Sequence, residues 1–414
     1  MKALLENYKS TIILLGAIIL GGIVGVFMGP EATVFKPVGD LFLNLLFMTL
    51  VPLVFFSVTS AISNMGEMKR LGKILKNIVI VFTATAILAG IVAMIGVLIF
   101  NPTKGLNPDM FSNIMKDATT EGHEKVSLMQ QLVNTVTVTD FKDLLSKSNM
   151  LQLIIFSMLF GVATAMAGEK AKPIAHFVEA GSEVMMKIVS LIMKLAPLGL
   201  GCYFASVIGE LGPQILSGYA RVFILYLILT AVCYFGFFTL YAYIAGGKEG
   251  IKVFWSKAVP PTVTALATCS SAASIPVNLD ASKKMGVPED IAETVIPLGA
   301  NIHKDGSVIG GVLKITFLFG LFGKDMTSIS AILGILAVSF LVGAVMGAIP
   351  GGGMMGEMLI LSVYGFSPEV LPIIAVISTI IDAPATVLNS TGNTVCSMMV
   401  ARLVEGKNWL KANI

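Results

Sequence analysis

The chain has 414 residues, 55 % hydrophobic and only 13 % charged, with 41 glycines and a formal net charge of +3. A soluble domain carries charge on about a quarter of its residues, so this composition excludes one and points to an integral membrane protein. The small net charge, with no basic cluster interleaved with aromatics, excludes a nucleic-acid partner.

Thr11 to Met28 reads as a first membrane span rather than a signal peptide, because no small-residue cleavage site follows it. Its Gly16, Gly21, Gly22 and Gly25 suit close helix packing. A second span runs from about Leu41 to Ile62, with Pro52 tolerated as a kink. The next loop holds Lys69, Arg70, Lys73 and Lys76 against one acid, Glu67, a cytoplasmic signature by the positive-inside rule. Span three covers Ile78 to Phe100. The polar segment from Asn101 to Asp140, with Asp109, Asp117, Glu121 and Glu124, suits the outside face. Span four covers Met150 to Ala167, span five Met185 to Ile208 and span six Val222 to Ala245. Four cysteines, Cys202, Cys233, Cys269 and Cys396, have no CxxC pairing and read as buried thiols.

After Lys252 the simple alternation fails. Phe254 to Met285 contains Pro260, Pro261 and a small-residue centre from Thr268 to Pro276, which fits two short helices meeting at a tip that does not cross. The apolar run from Ala292 to Gly323 contains Pro297, Gly299, Gly306, Gly310 and Gly311 together with His303, Lys304 and Asp305. Ionisable side chains at membrane depth mark function by default. This stretch reads as a broken transmembrane helix lining a solute or ion site. Ile329 to Val363 repeats the hairpin design, with Gly347 to Gly353 at its tip. Its odd charge, Glu357, is expected to snorkel to the headgroups. The last apolar helix runs from Pro372 to Val400. Hairpin, broken helix, hairpin and polar helix form an internal repeat typical of inverted-repeat transporters.

On that last helix, Ser378, Asp382, Thr386, Asn389 and Asn393 fall at steps of four, four, three and four, and so share one face. Pro384 frees a backbone carbonyl inside it. A polar helix–helix seam would explain the hydroxyls and amides. The carboxylate of Asp382 instead asks for a cation, either an ion or a substrate ammonium.

With these motifs assembled, the chain resembles the dicarboxylate/amino acid:cation symporter family, the sodium:dicarboxylate symporters that include the glutamate transporters. The segment from Met48 to Phe55, both hairpins, the broken helix and the last helix carry the resemblance. It implies an all-α membrane protein with eight transmembrane helices, two re-entrant hairpins and inverted repeats. It also implies a homotrimer in the cell (inner) membrane, both termini cytoplasmic, with no organic cofactor. The implied scaffold comprises 1–77 and 101–218, the latter with the outer loop. The implied transport unit comprises 78–100, 219–249, the hairpins 250–285 and 329–365, the broken span 286–323 and the last span 369–403, before a tail over 404–414.

By the same resemblance, Ser270 and Ser271 of the first tip, Pro350, Gly351 and Gly353 of the second, and Asp382, Thr386 and Asn389 touch substrate. Asp382 matches the aspartate that takes a substrate amino group. The family's carboxylate-gripping arginine is Ala385 here, which leads to the expectation of a small neutral amino acid. The family's broken-helix signature Asn-Met-Asp-Gly-Thr becomes His303-Lys304-Asp305-Gly306-Ser307. A sodium site is implied at Thr85, Asp305, Asn389 and Asn393. Phe82, Ala86 and Asn393, however, remove oxygens or charge from it, and a hard cation needs several oxygens close by. Weak sodium dependence is therefore expected, with protons, His303 or the fixed ammonium of Lys304 taking part of the coupling role beside Asp305. The alternatives are a sodium-coupled carrier of dicarboxylates or acidic amino acids, and a re-entrant-loop channel, which would need a charged ring facing a pore. An intramembrane enzyme drawn from His303, Lys304, Asp305 and the hairpin serines lacks any nucleophile motif.

Overall fold

The computed structural model describes residues 2–63, 69–104, 133, 137–146, 149–211, 214–346 and 352–410. Among these, all regular structure is helical. Helices α1 (Lys2–Met28) and α2 (Lys36–Ser63) are joined by a 3₁₀ turn, Gly29–Phe35. Then follow α3 (Lys69–Phe100), α4 (Met150–Ala167), α5 (Lys172–Ile192) and α6 (Ala196–Leu211). The run read as a single fifth span is therefore two helices, separated by a 3₁₀ turn at Met193–Leu195. Pro197 in the first turn of α6 explains the restart, since it cannot donate a backbone hydrogen bond to the preceding turn.

Helices α7 (Gln214–Ala231) and α8 (Phe238–Lys257) are joined by a π-turn at Val232–Phe237, and α8 kinks at Gly246 and Gly247, where the backbone leaves the helical region. The first hairpin is α9 (Val259–Thr268) and α10 (Ser271–Lys284). Its turn is tighter than the small-residue centre suggests: only Cys269, left-handed at φ 46°, and extended Ser270 separate the helices. Ser270 caps α10 by accepting from the Ala273 amide at 3.2 Å, satisfying one of its orphan donors. The broken helix is α11 (Glu289–Ile302) and α12 (Asp305–Leu321). The second hairpin is α13 (Ile329–Val345) and α14 (Gly352–Tyr364), and the last helix is α15 (Leu371–Glu405). Pro350, Gly351 and most of the outer loop lie outside the described residues. None of the four cysteines is disulfide-bonded. Cys233 and Cys396 are buried as expected, but Cys202 and Cys269 are only half-buried.

Among the described residues, four helical runs, Gly16–Phe42, Lys73–Phe100, Ile215–Lys257 and Leu371–Glu405, are long and apolar enough to cross a bilayer.

The helices pack in two groups. α1, α2, α4, α5 and α6 lie on one another, and α3 with α7 to α15 forms the second body around α12 and α15. Small residues set the first group's spacing. A Cβ on Gly21 would lie 2.1 Å from the Gly201 carbonyl oxygen, and one on Gly25 would lie 2.5 Å from that of Ala205. Gly16, by contrast, has open space around it. In the second group, α12 is buried on all sides from Asp305 to Phe319. Lys73 Nζ donates to the Val404 carbonyl at 2.7 Å, tying the start of α3 to the last turn of α15, where free carbonyls favour a cation.

The α1–α6 crossing cannot absorb a side chain, because the obstacle is backbone. Gly21→Val is expected to destabilise the protein by about 1–3 kcal/mol, and Gly16→Val to leave it unchanged. Thermal melts of the two variants in detergent check this.

Candidate functional site

The site is built on the break in α11–α12 and on the polar face of α15. The break does not fall at Pro297 or Gly299, both of which lie inside α11, but at His303 and Lys304 (φ −111°, ψ 101° and φ −135°, ψ 62°). The glycines serve close approach instead. A Cβ on Gly299 would stand 2.4 Å from Asn393 Oδ1, and one on Gly306 would stand 2.5 Å from the Ala385 carbonyl oxygen. Where a long arginine would have been rooted, the backbones of α12 and α15 touch. Tyr226 Oη donates to the Gly306 carbonyl at 2.8 Å, holding the first turn of α12 from the other side.

All five residues of the predicted stripe lie on the unbroken α15, and Asn393, Asn389 and Ser378 each meet a different partner. Asn393 Oδ1 accepts from His303 Nδ1–H at 2.8 Å. Asn389 is held twice by Ser307, accepting from its amide at 3.2 Å and donating to its hydroxyl at 3.1 Å. Thr386 is buried. Asp382 is exposed although its neighbours Ile381 and Ala385 are buried, so its carboxylate faces an opening between packed elements. Ser378 donates to Glu357 of α14.

Lys304 is 6 % exposed, and its Nζ donates to Ser271 Oγ at the first hairpin tip, 2.9 Å away. Asp382 is its electrostatic partner across the opening. The ammonium does not snorkel to water. It stands where the hairpin tip, the break and the stripe of α15 converge. Ser270, beside it, is committed to capping α10. Gly353, at the start of α14, lies near Ser378.

His303 is enclosed. Its ring stacks on Phe82 with centroids 4.3 Å apart, and Nε2 lies 2.8 Å from Thr85 Oγ1 and 3.1 Å from Asp305 Oδ1. The Thr85 hydroxyl stands between the Phe82 carbonyl, 3.2 Å away, and Nε2, and its single proton can serve either. Asp305 Oδ1 approaches Nε2 outside hydrogen-bond geometry and has no other hydrogen-bond partner. Of the residues implied for sodium, Asn389 is engaged by Ser307, and Thr85, Asp305 and Asn393 surround the imidazole. Among the described residues, no group of three or more His, Cys, Asp or Glu side chains is arranged to hold a metal ion.

Glu357 does not reach headgroups. It is 2 % exposed and accepts from Lys314 Nζ at 3.3 Å and from Ser378. The apolar surroundings leave such a carboxylate no stable state without a partner, and Lys314, equally buried, supplies one. Sequence reasoning passed over Lys314. The signal was present, since it is the lone charge in the run from Val308 to Leu321.

The apolar helices and the buried charged groups at the break define a multi-pass membrane protein. The family model of the sodium:dicarboxylate symporter family matches residues 11–403, and the chain belongs to that family. It is 30 % identical to the proton/sodium-glutamate symport protein of Geobacillus stearothermophilus, with 93 % of this chain and 92 % of that one covered. Its identity to the C4-dicarboxylate transport protein of Bacillus subtilis (strain 168) is 28 %, covering 95 % and 93 %. It is 28 % identical to the proton/glutamate-aspartate symporter of the same organism, covering 96 % of each. The family makes the chain a symporter, with sodium a candidate coupling ion and no organic cofactor.

Removing one member of the Lys314–Glu357 pair strands the other charge. Glu357→Leu is expected to cost about 3–5 kcal/mol, and the double variant Lys314→Met/Glu357→Leu to recover most of it. Thermal melts of the single and double variants check this. Equal destabilisation in both would mean that the pair is not what holds α14 to α12.

Proposed function

We propose that this symporter imports a small neutral α-amino acid with weak dependence on sodium. The observation that carries this reading is the pairing of one fixed anion and one fixed cation at the crevice. Asp382 would take the substrate ammonium. Lys304, presented beside Ser271, would take the carboxylate. A zwitterion neutralises both, whereas a dicarboxylate meets Asp382 with like charge. No arginine lies on the polar face of α15 or at the first hairpin tip to grip a side-chain carboxylate in a bidentate fork. Thr386, Asn389 and Ser270, with Pro350, Gly351 and Gly353 of the second hairpin, complete the proposed substrate shell.

The proposed movement is elevator-like, with α3 and α7 to α15 travelling against α1, α2 and α4 to α6. The packing of the helices in these two groups supports the division. In this reading the two hairpins are re-entrant, eight segments span the cell membrane, and both termini are cytoplasmic. The first group assembles a homotrimer, for which exposed Leu159, Met166, Phe177 and Leu191 on α4 and α5 offer an apolar face. A second reading, an acidic amino acid or dicarboxylate carried with sodium, draws on the names of the relatives and on the ammonium of Lys304.

Competition for uptake into proteoliposomes separates the two. Serine, alanine and threonine are expected to compete at least tenfold better than aspartate or succinate, and the reverse order would establish the second reading. Asp382→Asn is expected to abolish binding of the neutral amino acid while leaving the fold intact. A lost charge-assisted contact is worth roughly 1.5–3 kcal/mol. Unchanged affinity in a folded variant would reduce Asp382 to a helix seam.

A further inference from the structure

The Lys314–Glu357 pair lies next to the crevice rather than apart from it. Lys314 Nζ donates to Glu357 Oε1 at 3.3 Å, and both side chains are 2 % exposed. That distance is longer than the roughly 2.7–2.9 Å of a tight charge-assisted bond. Ser378 donates to the same carboxylate oxygen, and it stands one helical turn before Asp382 on α15. A Cβ on Gly310, one turn before Lys314, would lie 2.9 Å from Ile381 Cδ1, so α12 approaches α15 beside Asp382. The charge of Lys314 acts on Asp382 as well as on Glu357. One buried ammonium on α12 is therefore shared by two carboxylates on two other elements.

The two hairpins are tied to α15 in different ways. Asn278 Nδ2 of α10 donates to the Ser390 carbonyl at 3.1 Å and to its hydroxyl at 2.8 Å, and Ser397 Oγ donates to Ser282 Oγ at 3.1 Å. These bonds are between neutral groups. The end of α14 is fixed by Lys324, whose Nζ donates to the Tyr364 carbonyl at 3.2 Å and lies 4.3 Å from the centroid of the Phe366 ring. Gly365, between those two residues, takes a left-handed φ of 67°. Nearer its start, α14 meets α12 and α15 through the carboxylate of Glu357. A tie made by a buried charge answers to every other charge within reach, because little solvent screens it.

We propose that the Lys314–Glu357 pair couples the state of Asp382 to the seating of α14. An Asp382 without a ligand draws on Lys314 and loosens its hold on Glu357. An ammonium bound at Asp382 gives Lys314 back to Glu357 and seats α14. The coupling is reciprocal, so a seated α14 raises the affinity for the ammonium by the same factor. Lys314 is thus a positioning residue, acting on the substrate through Asp382 and on the hairpin through Glu357. The substrate half of this coupling rests on the reading of Asp382 as an ammonium site. The link from Asp382 to α14 does not.

Hydrogen–deuterium exchange of the α14 amides, in the full-length protein in lipid nanodiscs, reads the seating through local opening. Without any ligand, Asp382→Asn removes the competing carboxylate. It is expected to slow α14 exchange about fivefold or more relative to wild type, the lower end of coupling between sites. Excess serine is expected to do the same to wild type. In the Lys314→Met/Glu357→Leu background an apolar contact replaces the pair. Neither Asp382→Asn nor serine is then expected to shift α14 exchange by more than about twofold. Equal α14 exchange in ligand-free wild type and Asp382→Asn would overturn the proposal, and this arm stands even if the double variant does not fold. An effect that survives undiminished in a folded double variant would overturn it equally, since α14 would then be answering to packing alone. Serine without effect on wild type, beside a retained Asp382→Asn effect, would keep the coupling and set aside the neutral amino acid.

Discussion

The two-residue break between α11 and α12 is the feature on which the rest of the site depends. A continuous helix would carry His303 and Lys304 round its axis with all amides satisfied internally. Breaking it at these residues sends the two side chains to different partners, His303 to α3 and α15 and Lys304 to the first hairpin tip. It also starts a new helix with Asp305 in its first turn, where the helix dipole favours a carboxylate. The Ser307 amide, an orphan donor created by the break, is taken up by Asn389. Gly306 allows that new helix end to lie on the backbone of α15.

Because the break is deep, its charges have to be answered by other fixed charges. Asp305 faces His303, Glu357 faces Lys314, and Asp382 has Lys304 as its electrostatic partner. An ionised group in such surroundings is costly unless paired and hydrogen-bonded. Each carboxylate therefore has a basic side chain beside it. A protein built this way needs less from dissolved ions to keep its interior neutral. This connects the architecture to the proposed weak sodium dependence. The proposed zwitterionic substrate would be taken beside Asp382, where that compensation is least complete.

Much of this was legible in the sequence, for reasons that differ residue by residue. The stripe from Ser378 to Asn393 was readable because helical periodicity alone places it on one face. The broken helix was readable from its charges, although Pro297 and Gly299 turned out to lie inside α11 rather than at the break. Proline is tolerated inside α11, and Gly299 serves packing that depends on a residue 94 positions further on, Asn393. The pairing of Glu357 with Lys314 was not readable, because it spans 43 residues and two elements, and neither neighbourhood is polar. The restart at Ala196 was missed because hydropathy does not register a 3₁₀ turn within an apolar run. His303 and Lys304 were singled out in the sequence, but their separate destinations were set by tertiary packing.

The central claim is that Lys304 and Asp382 together read a zwitterion. It is tested most directly by comparing a transported amino acid with its carboxamide, which keeps the ammonium and loses the carboxylate. In binding measured on wild type and on Lys304→Met, wild type is expected to prefer the acid over the amide by tenfold or more. The variant is expected to lose that preference while still binding the ammonium end. A folded Lys304→Met protein that discriminates as wild type does would contradict the account.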